Sequence, residues 1–247
     1  MSGSGMINAD VVARLTPAVA AAERYASEVR ESVRARVAAA SLDAEQRAAH
    51  GYAWVETSVA AMRATLDWLQ AADAEGRAGQ QEWLTATIGI GETLAQLTGG
   101  LPMGQNEIVR PVDLDSSEAA RRLAAEPAVD WLLSNGNSAA NRAALVACMA
   151  GGQPLDDRLG DELIDTIREQ YRRFTDDRIL PHAHGWHLAN DLIPDALVAE
   201  MAALGTFGVC IPEAFGGLGL GKLVMCVVTE ELSRGYIGTG SLGTRSE

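Results

Sequence analysis

Three short stretches of this 247-residue sequence hold residue types that do chemistry. The first is His182, His184 and His187, near enough along the chain to offer imidazoles to one metal ion. A closed zinc site needs a fourth ligand, usually Cys or a carboxylate, and this spacing matches no common zinc template, even with Asp191 nearby. The segment is therefore expected to be a polar connector between helices, with no metal. The second stretch is Gly216, Gly217, Gly219 and Gly221, which looks like a nucleotide cradle. A dinucleotide loop follows a strand and opens a helix, and a phosphate loop carries Gly-Lys-Ser/Thr, whereas Lys222 is followed here by Leu223. These glycines are read instead as tight turns and close helix contacts. The third is the carboxylate pair Glu230 and Glu231, expected on a solvated helix face because no His or Lys is placed to tune either acid as a base. There is no Gly-x-Ser-x-Gly elbow. Cys148, Cys210 and Cys226 lie far apart with no Cys-x-x-Cys pairing, and are read as small buried apolar residues. No residue of the chain is nominated as catalytic.

The elements that would position these groups are helical. From Thr16, read as an N-cap with Pro17 at the first helical position, Val19, Ala22, Ala26, Val29 and Val33 recur in steps of three and four. A second run, opened by Asp43 with Gln46 three residues on, places Ala48, Tyr52, Val55, Val59, Met62, Leu66 and Leu69 in the same alternation. Two such seams joined near Ser41 predict an antiparallel helical hairpin. The seam is either an internal bundle core or a surface for a partner or second protomer. Further helices are predicted at 80–97, 117–133, 138–149, 161–177, 194–204, 223–233 and from 238 to the end, and no stretch alternates as a strand does. The fold class is all-α.

Composition divides the chain. Residues 1–150 hold 35 alanines and residues 151–247 only 7, while 10 of the 25 glycines lie from Gly205 to Gly243. With Gly151, Gly152 and Pro154 as punctuation, the boundary is placed between 1–150 and 151–247. Hydrophobic residues make up 47% of the chain, enough for a packed core. A net charge of −13 argues against nucleic acid or an anionic membrane as partner. No run is apolar for the roughly 20 residues that span a bilayer, and residues 1–5 lack a signal-peptide layout, so a soluble, cytoplasmic protein is expected.

The run from Leu204-Gly205 through Ile211-Pro212-Glu213-Ala214-Phe215-Gly216-Gly217-Leu218-Gly219, followed by Glu230-Glu231-Leu232, resembles the amino-terminal helical domain of flavin-dependent acyl-CoA dehydrogenases. The family typically ends a helix in Leu-Gly, makes an Ile-Pro-Glu-x-Tyr-Gly-Gly-x-Gly turn, and starts a helix containing Glu-Glu-Leu. Phe215 stands where tyrosine is common, which keeps the ring and removes a hydroxyl. The resemblance covers about residues 157–247. It implies an alanine-rich helical bundle followed by an incomplete family domain that stops before the family's β-domain. FAD and the catalytic glutamate would then belong to a longer polypeptide, and the chain alone would neither hold FAD tightly nor turn over substrate.

In that family the helix after Glu-Glu-Leu lines the acyl pocket, and matching the blocks without gaps puts Gly240, Ser241, Thr244 and Arg245 there as substrate-binding residues. Side-chain size at such positions decides which acyl group fits. Arg245 lies four residues beyond Ser241, about 40° around a helix, so it is either a solvated surface arginine or a bidentate reader of a carboxylate at the far end of the acyl group. Family members with a comparable extension of about 150 residues point to a short, branched, carboxylated acyl-CoA. The implied chemistry is removal of the α-proton by a glutamate as a hydride leaves the β-carbon for the flavin. An electron-transfer flavoprotein would take the electrons from a homodimer or homotetramer. The competing reading from another class is a non-catalytic helical interaction module.

Overall fold

The computed structural model describes residues 4–152 and 154–244, and the chain divides into two compact units, Met1–Asp157 and Arg158–Glu247. In the first, α1 (Ser4–Ala39) and α2 (Gln46–Ala74) lie side by side. Arg36 meets Glu45, Arg63 meets Glu23 and Gln70 meets Thr16, so the pair is antiparallel. Val19, Ala22, Ala26, Val29 and Val33 of α1 and Val55, Val59, Met62, Leu66 and Leu69 of α2 are all buried along the seam. α3 (Gln80–Gly99) adds Trp83, Ala86, Ile90, Leu94 and Leu97 to the same core. The heptad seam is thus an internal core.

Four local readings are corrected. Thr16 and Pro17 do not begin a helix; α1 runs through them. Proline removes one donor, and Leu15 and Ala18 on either side are fully buried, so packing holds the turn that the missing hydrogen bond would have held. Asp43 caps nothing: Ser41 Oγ accepts from the Ala44 amide, and α2 starts only at Gln46. The helix expected over 117–133 is two, α4 (Ser117–Ala125) and α5 (Pro127–Asn135). Glu126 is extended (φ −62°, ψ 128°), as a residue before proline prefers. A small antiparallel pair, β1 (Leu101–Pro102) with β2 (Ile108–Val109), follows α3 where no strand was expected. Two residues per strand are too few to alternate visibly.

α6 (Ala139–Ala150) starts at Ser138, whose Oγ accepts from the Asn141 amide, and closes the set. The segment after it stays with the first unit: Glu82 Oε1 accepts from the Asp156 amide and Arg77 pairs with Asp156. The division therefore falls between residues 157 and 158, seven residues beyond the composition shift.

In the second unit, α7 (Glu162–Phe174) is capped by Asp161, whose Oδ1 accepts from the Leu163 and Ile164 amides. A π-turn, Thr175–Ile179, carries the chain into α8 (Leu180–Ala189). Pro181 cannot donate to the carbonyl of Asp177, which favours the wider turn. The three histidines thus lie on a helix, not in a connector, and His182 stacks on Trp186 at 5.7 Å between ring centroids. After α9 (Asp195–Ala203) the glycine-rich loop leads to α10 (Gly221–Gly235) and α11 (Ile237–Gly243). Tyr171, Ile179, Leu197, Met201, Val209, Val224, Val228 and Leu232 form the core. The cysteines are less enclosed than expected: Cys226 is exposed, and Cys148 and Cys210 are half-buried. Among the described residues no helix is long and apolar enough to cross a membrane.

Candidate functional site

Both motifs that carried the family resemblance are built around α10. Val224, Val227, Val228 and Leu232 make its inward stripe, and Glu231 falls on that stripe. Only 2% of Glu231 is exposed, so the carboxylate needs partners. It has them: Arg172 Nη2 donates to Oε1 at 2.6 Å, Arg234 Nε donates to Oε2 at 3.1 Å, and Arg168 Nη1 stands 3.6 Å from Oε1. Arg168, itself buried, donates to the exposed Glu230 at 2.9 Å. The expected solvated face is correct for Glu230 and wrong for Glu231. The signal was present in the four-residue spacing of Arg168 and Arg172 on α7, which puts two guanidiniums on one face.

Arg234 extends the network to Asp176 in the π-turn at 2.7 Å, fixing the last turn of α10 to the end of α7. Tyr171 completes this side: its hydroxyl lies 3.0 Å from Thr206 Oγ1 and 3.3 Å from the Leu204 carbonyl. Burial pushes its phenol above the ordinary value, partly offset by the hydrogen bond to Thr206.

The glycine loop is closed on itself. Leu218 N donates to Gly208 O, Gly219 N to Ile211 O and Leu220 N to Val209 O, at 2.8 to 2.9 Å. A β-carbon on Gly217 would stand 2.0 Å from Ile211 O, so glycine is required there. With these amides spent internally, the loop does not fit a pyrophosphate, and the described residues offer FAD no cradle in it. Among the described residues no group of three or more His, Cys, Asp or Glu is arranged to hold a metal.

Of the proposed substrate residues, Gly240 and Ser241 fall on α11 and Thr244 at its C-cap. Gly235 and Tyr236 turn the chain; Thr239 Oγ1 then lies 2.9 Å from the Leu232 carbonyl and ties α11 back onto α10. A β-carbon on Gly240 would meet Ser233 Oγ at 1.9 Å, so Gly240 faces α10 and lets the two helices approach. Ser241 and Thr244 are exposed on the other side. The structure therefore brings Ser241 and Thr244 to one face and puts Gly240 on another, while Arg245 lies outside the described residues. Ile237, which the motif match did not select, is 72% exposed on the face of Ser241 and Thr244.

Residues 161–246 match the family model for the acyl-CoA dehydrogenase N-terminal domain. The chain is 45% identical to (2S)-methylsuccinyl-CoA dehydrogenase of Cereibacter sphaeroides over 91% of its own length and 41% of that protein's. It is 37% identical to glutaryl-CoA dehydrogenase of Desulfococcus multivorans, over 33% of this chain and 21% of that one. It is 41% identical to benzylmalonyl-CoA dehydrogenase of Aromatoleum aromaticum, over 28% and 18%. The chain spans about two fifths of the first relative and about a fifth of the other two.

Proposed function

From the premise that residues 161–246 belong to the acyl-CoA dehydrogenase N-terminal domain family, we propose that the chain is the front part of an FAD-dependent enzyme oxidising (2S)-methylsuccinyl-CoA to mesaconyl-CoA. One observation carries the choice of substrate. Similarity to a protein named for it extends over 91% of the chain, most of the helical extension included, whereas the other two relatives match a third or less. The reaction removes two hydrogens across a C–C bond and is a step of the ethylmalonyl-CoA pathway.

In this reading the first unit, through residue 157 rather than 150, is the extension, and the second is the start of the dehydrogenase. The chain's own part in the chemistry is to receive the acyl group. Ser241 presents its hydroxyl on the open side of α11, Thr244 at the C-cap donates its own to the Ser241 carbonyl, and Arg245 pairs with the distal carboxylate, a charge-assisted contact that butyryl-CoA could not make. Gly240 acts one step back, setting how closely α11 lies on α10. FAD and the base that takes the α-proton belong to the part of the longer protein beyond residue 247, and the glycine loop takes no part in holding the flavin. The electron acceptor is an electron-transfer flavoprotein, and the enzyme is a cytoplasmic homodimer or homotetramer.

The test is to incubate the longer protein with (2S)-methylsuccinyl-CoA and an artificial electron acceptor, and weigh the product. A thioester lighter by two hydrogens supports the reading. Recovery of unchanged substrate from flavin-loaded protein rejects it. The 247-residue chain alone is expected to purify without flavin absorbance.

A further inference from the structure

We propose that residues 154–157 are a latch: closed on the first unit, they shorten the connection to the second, and released they leave a long tether. The latch is independent of what the longer protein catalyses. Gly152, in the left-handed region at φ 74°, turns the chain out of α6, and Asp156 then meets the start of α3. Its amide donates to Glu82 Oε1 at 3.0 Å, and its carboxylate pairs with Arg77. All three side chains are enclosed: Glu82 is 4% exposed, and those of Arg77 and Asp156 are 13% and 12% exposed. Glu82 holds two partners at once. Its other oxygen, Oε2, accepts from the Gly79 amide at 2.8 Å, so one buried carboxylate caps α3 and grips the segment after α6.

Polar contacts hold this segment, and apolar packing does not. Leu155 is 40% exposed and takes no part in the core of the first unit. A segment gripped through charge and an amide at Asp156 can open without unpacking that core, which separates a latch from a packed turn. With the latch open Arg77 keeps a partner, because its Nε also donates to Glu75 Oε2 at 2.7 Å. On the far side Leu159 N donates to Asp165 Oδ1 at 3.0 Å, tying residue 159 to α7. Closed, the tether is therefore residues 157–159, about 10 Å of extended chain; open, it is residues 151–159, about 30 Å. The latch sets the reach of the connection over a range of about threefold.

The experiment is hydrogen exchange of the 247-residue chain, unaltered and as Asp156→Ala, followed peptide by peptide. In Asp156→Ala the peptide covering residues 151–158 is expected to exchange at least about 10-fold faster, while peptides from α1, α2 and the middle of α3 keep their rates. Glu82→Gln leaves one acceptor oxygen for two amides; it should give a smaller rise in the same peptide, and it serves if the alanine variant folds poorly. Exchange of residues 151–158 that is as fast in the unaltered chain as in Asp156→Ala would overturn the latch, since the segment would then be a free tether. A rise spread equally over α1, α2 and α3 in both variants would overturn it as well, because Asp156 and Glu82 would then be holding the core and not a segment that opens.

Discussion

The helix contacts of the two units treat charge differently, the α1–α2 seam keeping it outside and the α7–α10 contact taking it in. In the first unit, charged residues along α1 and α2 stay at the rim of an apolar seam, Arg24 pairing with Glu126 and Arg63 with Glu23, all at least a third exposed, while charge goes inside at the start of α3, where Glu82 is buried and Arg77 pairs with Asp156. In the second, a carboxylate stands inside the core with Arg172, Arg234 and Arg168 around it. The sustained heptad stripe of α1 and α2 has apolar area to spare and leaves charge outside that seam. The shorter helices of the second unit carry fewer large buried side chains, and an ion network holds α7, the π-turn and α10 in register. That register also fixes where α11 begins, so the buried network and the proposed substrate face are parts of one support.

The comparison breaks most readily at Glu231. Replacing it by alanine leaves a cavity between Arg172 and Arg234, takes from each its buried carboxylate and leaves Arg168 its bond to Glu230, and removing one partner of a buried ion pair costs about 3–5 kcal/mol. Two of the three arginines reach water, so the lower end is expected. Hydrogen exchange should show α7 and α10 losing protection while α1 and α2 keep theirs; equal loss in both units would dissolve the contrast. Leu66→Ala tests the other side. Leu66 is fully buried in the seam, and its truncation should cost about 2–5 kcal/mol, read in α1 to α3 with the second unit unmoved. The smallest effect belongs to Arg24→Ala. It removes an ion pair whose partners are 60% and 46% exposed, and should lower stability by less than about 1 kcal/mol in a urea titration. A loss as large as that of Glu231→Ala would show that the rim of the α1–α2 seam leans on charge after all.

Much of this was legible in the sequence because period and packing agreed. The stripe from Val19 to Val33 and from Ala48 to Leu69 reads as a helical hairpin since the same residues that repeat are those that bury. Legibility failed where a distant contact overrides a local signal. Pro17 looked like a start because proline favours first turns, yet Leu15 packs on its far side and keeps the helix going. Glu231 looked solvated because paired acids usually are, and only the approach of α7 reveals its arginines. At the candidate site, the motif match named Gly240, Ser241, Thr244 and Arg245, but not which way Gly240, Ser241 and Thr244 face. Gly240 turns to α10 and Ile237 to the open side, which depends on how α11 folds back after Tyr236.

The central claim is that α11 belongs to an enzyme reading a carboxylated acyl group, and Arg245→Ala in the longer, flavin-loaded protein tests it most directly. Steady-state kinetics should show KM rising at least about 10-fold for (2S)-methylsuccinyl-CoA and little for butyryl-CoA, since only the former has a carboxylate for the guanidinium to hold. An equal change for both thioesters would contradict the account.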